Sequence, residues 1–168
     1  VTTQQRATNL QKIAHAAVHI ERTRGIPAEL TAGQCIIESS WLSKCPGNNA
    51  FGIKWVSGPY TEQPTKERIN GKDIAIIAKF AAYPSLEAGF DAYADLILKG
   101  KYFKDRFARY QQHKDLRKLL TDMSGADGQP PYFTGAGYVE LWQAIVSQAN
   151  VKAALEEERR IFESTSSS

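Results

Sequence analysis

One glutamate stands where an acid could be made to keep its proton. Glu38 lies in the run Ile36-Ile37-Glu38-Ser39-Ser40-Trp41-Leu42. On a helix, Gln34 sits one turn before it, and Trp41 and Leu42 one turn after it, on the same face. A carboxylate against an indole and a leucine loses hydration, which favours the neutral form and raises its pKa. A carboxylic acid neutral near pH 7 is what a glycosidase needs to protonate the oxygen of a departing sugar. The same position also suits a solvated glutamate at the edge of an amphipathic helix. Glu38 alone does not separate the two.

Other chemistries find less support. His15 and His19 are four apart and could share a helix face, but no third ligand stands near them, and His113 is distant. There is no His-Glu-x-x-His motif, so no metal site is expected. Two cysteines, Cys35 and Cys45, are too few for a multi-cysteine zinc site. They could pair outside the cytoplasm or stay as separate thiols, and the sequence leaves both open. No serine or cysteine nucleophile sits in a recognisable elbow, and nothing in the sequence calls for a cofactor.

The elements that must position Glu38 follow from periodicity. Leu10, Ile13, Ala17 and Ile20 predict a helix over 4–23, ended by Gly25. Pro27 opens a second helix reaching to about Trp41. Cys45 to Asn49 reads as a loop. The run 51–55 is short and strand-like, Asn70-Gly71 signals a hairpin, and 74–80 is apolar enough for a strand. Ser85 caps the next helix, with Leu86, Phe90, Tyr93 and Ile97 inward and Gly100 at its end. Shorter helices are expected over 103–111 and 114–122, then a loop over 124–137. A helix over 138–149 follows, with Leu141, Trp142, Ile145 and Ala149 inward. The expected fold is α+β and mainly α: a helical core with a small antiparallel hairpin lobe at about 51–83. One domain covers 1–152, and 153–168 forms a charged helical extension with a disordered tail.

Composition agrees with a globular domain. Of 168 residues, 42% are hydrophobic and 23% charged, with a net charge of +3, which excludes wholesale disorder. Lys and Arg are scattered and not interleaved with aromatics, so no nucleic-acid partner is expected. No stretch approaches the roughly 20 apolar residues of a membrane span. The chain begins at Val1 with no signal peptide, so it reads as a mature or trimmed product.

Four motifs in order carry a resemblance. Glu38-Ser39-Ser40-Trp41 is followed by Asn49-Ala50-Phe51-Gly52-Ile53-Lys54, then by Ala78 to Ser85, then by Tyr132-Phe133-Thr134 with Tyr138 six residues after Tyr132. Together, over about residues 8–150, these resemble glycoside hydrolase family 73, peptidoglycan N-acetylglucosaminidases with a lysozyme-like core. The tyrosine motif departs from the family's usual Tyr-Ala-Thr-Asp-Pro by reading Tyr132-Phe133-Thr134-Gly135-Ala136.

The resemblance implies that Glu38 is the catalytic acid and that a glycan strand lies between the helical core and the hairpin. It also places Tyr132 and Tyr138 near the reacting sugar. The second carboxylate is expected at Glu67, in Thr65-Lys66-Glu67-Arg68, acting as base on a water, with Glu62 in reserve. The substrate's own N-acetyl group is the alternative nucleophile. Trp41, Asn49, Trp55, Tyr60 and Glu62 are the expected substrate-binding residues; Trp55 and Tyr60 would form a sugar-stacking wall, Asn49 would order the loop under Glu38, and Phe51 would pack in the core. The implied activity is cleavage of the β-1,4 bond between N-acetylglucosamine and N-acetylmuramic acid. A muramidase or lytic transglycosylase on the same core, or a silent wall-binding module, are the alternatives. The implied partner is the glycan strand of peptidoglycan, met by a monomer that is secreted, periplasmic or wall-associated.

Overall fold

In the computed structural model, which describes residues 1–167, α1 spans Thr3–Arg24. Thr2 and Gln5 form a reciprocal cap: the Thr2 hydroxyl accepts the Gln5 N–H, and the Gln5 side chain accepts the Thr2 N–H. The stripe Leu10, Ile13, Ala17 and Ile20 is buried, as its spacing predicts. α2 (Ala28–Ser39) starts after Pro27, and Glu21 of α1 accepts the Ala28 N–H at 3.0 Å. Two antiparallel strands follow, β1 (Tyr60–Ile69) and β2 (Lys72–Ala81). Then come α3 (Leu86–Lys99), α4 (Lys104–His113), α5 (Leu116–Thr121), a π-helical turn (Asp122–Ala126), α6 (Tyr138–Val146) and α7 (Ala149–Ser166). The expected class holds: a mainly helical body carrying one hairpin.

The end of α2 differs from expectation. The helix stops at Ser39 rather than near Trp41, and Ser40, Trp41 and Leu42 all take positive φ, at 49°, 60° and 63°. Left-handed backbone costs an L-residue about 1–2 kcal/mol, so the turn needs fastening. The Ser39 hydroxyl donates to the Cys35 carbonyl at 2.6 Å and accepts the Leu42 N–H at 2.9 Å. The Lys44 N–H closes onto the Ser39 carbonyl at 2.9 Å. The turn carries Trp41 off the face of Glu38 and against α1, where the Arg6 guanidinium lies 5.2 Å from its ring centre and Asn9 donates to its carbonyl at 2.8 Å.

The hairpin forms on the expected signal. Tyr60 pairs with Ala81 and Ile69 with Lys72, leaving Asn70-Gly71 as a two-residue turn with φ of 51° and 77°, the geometry that suits the twist of paired strands. Residues 53–55 are not a full strand. They bond to the far side of β2, with Ala81 N–H to the Ile53 carbonyl at 3.0 Å and Trp55 N–H to the Lys79 carbonyl at 3.1 Å. That ties the hairpin base to the body.

α6 lies over α2 because Gly33 lets it. A Cβ on Gly33 would meet the Trp142 ring at 2.3 Å, and the Trp142 indole N–H donates to the Glu29 carbonyl at 3.1 Å. The inward stripe of α6 is Trp142, Ile145 and Val146. Leu141, expected inward, is 48% exposed, and Ala149 begins α7 on the surface. The helix is shorter than expected, and its buried face turns towards α2.

The segment before α6 hangs on a buried cation. Arg106, 1% exposed, forks onto Asp127 at 2.8 and 2.7 Å and donates to the Pro130 carbonyl at 3.1 Å. At the other end, α7 packs along α1 through Val151 and Leu155, both buried, and through Arg159 bridging Glu21 and Glu29. The boundary expected at 152 therefore falls inside a helix of the same core. Within the extension and disordered tail expected over 153–168, helix takes in residues to Ser166, where the Ser164 and Ser166 hydroxyls donate back to carbonyls one turn earlier; Ser168 lies outside the described residues. Cys35 is buried and Cys45 half-buried, both as thiols. Among the described residues no helix is long and apolar enough to cross a membrane.

Gly33→Ala forces α6 away from α2. Overpacking of this kind costs about 1–3 kcal/mol, and chemical denaturation of the variant is expected to show a loss in that range.

Candidate active site

Glu38 is the next-to-last residue of α2, near the negative end of the helix dipole, which disfavours a second negative charge. It lines a groove pocket of about 240 Å³ together with Lys44, Pro46, Asn49, Gly52, Gln63, Pro64, Thr65 and Phe80. The pocket lies between the end of α2 and the base of the hairpin. Solvent reaches Glu38, but the walls strip much of its hydration. Burial therefore pushes its pKa above the ordinary carboxylate range, against the downward pull of one hydrogen bond. That bond comes from the Tyr138 hydroxyl, which donates to Glu38 Oε1 at 2.9 Å. No Lys or Arg pairs with Glu38 among the described residues. The contrast is Asp127, which the Arg106 guanidinium holds well below the usual range.

The hydrogen-bonding neighbour of Glu38 is a phenol. Tyr138 opens α6 and stacks on Phe133, with ring centres 3.6 Å apart. Tyr132 donates to the Phe51 carbonyl at 2.7 Å and stands edge-on to Phe103 and Tyr93. Burial, followed by neighbouring charges that include Glu38, pushes Tyr132 and Tyr138 upward, so both are protonated donors. The two tyrosines thus hold different places: Tyr138 touches the carboxylate, and Tyr132 fixes the loop of Phe51 beneath it.

Asn49 explains the shape of that loop. Its amide N–H groups donate to the Ile53 and Ala81 carbonyls, both at 2.9 Å, and its oxygen accepts from Phe51 N–H at 3.3 Å and Ile53 N–H at 3.1 Å. With these bonds made, its work is to order the loop. Gly52 rides on it with φ of 64°, and a Cβ there would sit 3.7 Å from Glu38 Oε2. Gly52 was not singled out from the sequence. The signal was available, as a glycine between two apolar residues directly after Asn49-Ala50. Phe51 packs in the core, stacked on Tyr93 at 4.1 Å.

Strand alternation sorts the remaining candidates. Thr61, Gln63, Thr65 and Glu67 share one face of β1, the face that meets the groove; Tyr60, Glu62, Lys66 and Arg68 share the other. Glu67 is on the groove side, further towards the tip, bonded to Lys54 Nζ at 3.0 Å; it does not line the Glu38 pocket. Glu62 faces away. Trp55 and Tyr60 form an edge-on pair at 5.5 Å with Lys79 Nζ 4.9 and 4.4 Å from their ring centres. Lys79 alternates with the groove-facing Phe80, so this cluster is on the back of the hairpin. Trp41 is against α1. Neither the Trp55–Tyr60 pair nor Trp41 lines the pocket. Among the described residues no group of three or more His, Cys, Asp or Glu side chains is placed to hold a metal.

Comparison with known proteins adds to this geometry. The family model described as glucosaminidase, mannosyl-glycoprotein endo-beta-N-acetylglucosaminidase, matches residues 14–151. A probable N-acetylmuramidase of Lactococcus lactis subsp. cremoris is 29% identical over 164 residues, covering 88% of this chain and 36% of its own length. The chain thus spans about a third of the length of such curated relatives. Among solved structures, a peptidoglycan hydrolase mutant from Sphingomonas sp. A1 superimposes with a TM-score of 0.70 at 23% identity, covering 90% of this chain and 99% of that one. The catalytic domain of the autolysin Auto from Listeria monocytogenes gives 0.71 at 23% identity, covering 92% and 89%. These likenesses show a shared fold.

Tyr138→Phe removes the one donor that favours the charged form of Glu38. The Glu38 pKa is expected to rise further, read by carbon NMR titration of its side-chain carboxyl; a fall would contradict the assignment of Tyr138 as donor.

Proposed function

The chain belongs to the glucosaminidase family, and from that premise we propose that it is a glycoside hydrolase of peptidoglycan with Glu38 as its general acid. The observation that carries this reading is a carboxyl whose pKa is raised by its groove, with a phenol on one oxygen and open pocket beside it. In this mechanism a glycan strand lies along the groove between α2 and the hairpin. Glu38 gives its proton to the glycosidic oxygen as the bond breaks. The acid works only while protonated, so the rate falls as pH rises through its elevated pKa. The Tyr138 hydroxyl then stabilises the carboxylate that the transfer leaves behind.

The bond cleaved, on this reading, is the β-1,4 bond between N-acetylglucosamine and N-acetylmuramic acid, with the new reducing end on glucosamine. The name of the Lactococcus relative favours a second reading, cleavage after the muramyl residue. The site of action is extracellular or within the cell wall, and the working unit is a monomer. Water is the nucleophile, with Glu67 as base. Supporting Glu67 is its place on the groove-facing side of β1, where Lys54 Nζ lies 3.0 Å from its carboxylate.

Digestion of purified cell-wall peptidoglycan and analysis of the new reducing ends separates the two bonds: glucosaminyl ends support the first reading, muramyl or anhydro-muramyl ends the second. Glu38→Gln is expected to lower kcat by at least about a hundredfold, the usual worth of a general acid. Unchanged wall clearing by that variant would show that Glu38 is not the acid. Glu67→Gln is expected to cost much more activity than Glu62→Gln, because Glu62 is on the far face of the strand; equal losses would remove Glu67 from the mechanism.

A further inference from the structure

The pocket that holds Glu38 also holds a cation that the proton transfer does not use. Lys44 lines it from the α2 side, while Gln63, Pro64 and Thr65 line it from β1. The left-handed turn fixes its place. Lys44 follows Glu38 by six positions, yet its N–H bonds to the carbonyl of Ser39, the residue beside Glu38, at 2.9 Å. Among the described residues no carboxylate forms an ion pair with Lys44. The other lysine of the groove, Lys54, is already engaged: its Nζ is 3.0 Å from Glu67 and 5.3 Å from the centre of the Phe80 ring. Glu38 does not neutralise Lys44 either. An opposite charge close by would pull the Glu38 carboxyl down, and burial has pushed it up.

With Glu38 protonated, Lys44 is the one formal charge among the residues lining the pocket; the others are prolines, a glycine, a phenylalanine and neutral polar groups. An unpaired ammonium in a groove suits an anionic group on the substrate. N-acetylglucosamine has none. N-acetylmuramic acid differs from it by a lactyl ether on C3, which ends in a carboxyl group. That carboxyl is free on a bare strand. On a peptide-bearing strand it is amide-linked, and the peptide brings carboxylates of its own. In the bond assigned above, the oxygen that Glu38 protonates is attached to muramyl C4, the carbon next to C3. The lactyl arm then stands beside the reacting oxygen, on the sugar that leaves. In the second reading the muramyl carbon at the cut is C1, two carbons from the arm.

We propose that Lys44 is a specificity-determining residue that reads the carboxylate carried on the lactyl arm of the muramyl sugar at the leaving side of the cut. This rests on the reading of the groove as the glycan site of a peptidoglycan hydrolase, and it deepens that reading: a cation placed for the arm selects the bond on the glucosamine side. Lys44 takes no part in bond breaking. It pairs with the carboxylate by charge and by hydrogen bonds from its ammonium. The group it reads is the lactyl carboxylate on a bare strand, or a carboxylate of the attached peptide on a substituted one.

The test compares the unaltered chain with Lys44→Met and Lys44→Arg on three soluble glycan strands: peptide-free strands with lactyl carboxylates, the same strands with those carboxylates converted to methylamides, and strands that keep their peptides. On the peptide-free strands Lys44→Met is expected to raise KM about fivefold with kcat little changed, the order set by a part-exposed ion pair. Lys44→Arg keeps the charge and is expected to recover most of that loss. The KM gap between Lys44→Met and the unaltered chain is expected to vanish on the methylamide strands. On charged strands it is expected to close at about 1 M salt, where the Debye length falls to about 3 Å. A gap on the peptide-free strands names the lactyl carboxylate as the group read; a gap confined to the peptide-bearing strands names the peptide's. An equal gap on all three strands makes Lys44 a structural residue of its turn, and no gap on any makes it a solvated charge; either result overturns the proposal. Glu38→Gln keeps the two readings apart. An inactive Glu38→Gln beside either of those results overturns the role of Lys44 alone, whereas an active one overturns the acid assignment and leaves the KM comparison standing.

Discussion

The hydrogen bond between the Tyr138 phenol and Glu38 makes opposing demands on one carboxyl group. The groove and the negative end of α2 both favour the protonated form. The phenol favours the charged one. A general acid needs this kind of balance, because a proton held too loosely is lost to water and one held too tightly is not transferred. The pull from each side depends on geometry: α6 must come close enough for the phenol to reach, and the Phe51–Gly52 loop must come close enough to exclude water without covering both oxygens.

Each approach has its own support elsewhere in the chain. The absence of a side chain at Gly33 lets Trp142 seat directly on α2. Tyr138, one turn before Trp142, then reaches Glu38, so one helix contact fixes both. Upstream of Tyr138, the Arg106–Asp127 pair fastens the loop that carries Tyr132. A buried pair of this sort need not add net stability over an apolar equivalent, but removing one partner strands the other. On the opposite wall, the four bonds of Asn49 hold Gly52 in its left-handed turn. The strain in Ser40, Trp41 and Leu42 belongs to the same scheme. It ends α2 one residue beyond Glu38, leaving the carboxylate at a helix terminus rather than mid-helix.

Much of this was legible in the sequence, for reasons that differ from part to part. The burial of α1 followed from three- and four-residue spacing, and the hairpin from Asn70-Gly71 between alternating runs, because both are local patterns with strong physical causes. Glu38 stood out by type and surroundings. Its pairing with Tyr138 spans 100 positions, and only the ordered motifs of a family pointed there. The end of α2 was misread because its periodicity continues through Trp41, while three left-handed residues carry no pattern of their own without a glycine among them. That error hid the contact of Trp41 with α1. Trp55 and Tyr60 went astray by register: a shift of one residue along a strand exchanges its faces, and nothing local fixes where residues 53–55 meet β2. Gln34 was noticed as a neighbour of Glu38, yet its burial is a tertiary fact, set by α3 and α6 closing over it.

The hairpin meets the body only near its base, and the outer residues Lys66 to Ala75 are largely exposed. Apart from Glu67, their side chains can therefore be exchanged, or the ribbon lengthened, with little effect on the core. Strand pairing and the Asn70-Gly71 turn preserve its form, while Glu38 and Tyr138 are held by helices of the body. Such a molecule separates two kinds of inheritance: the setting of Glu38 is locked into the packing of α2 and α6, and the outer ribbon is an appendage that can drift without disturbing that packing.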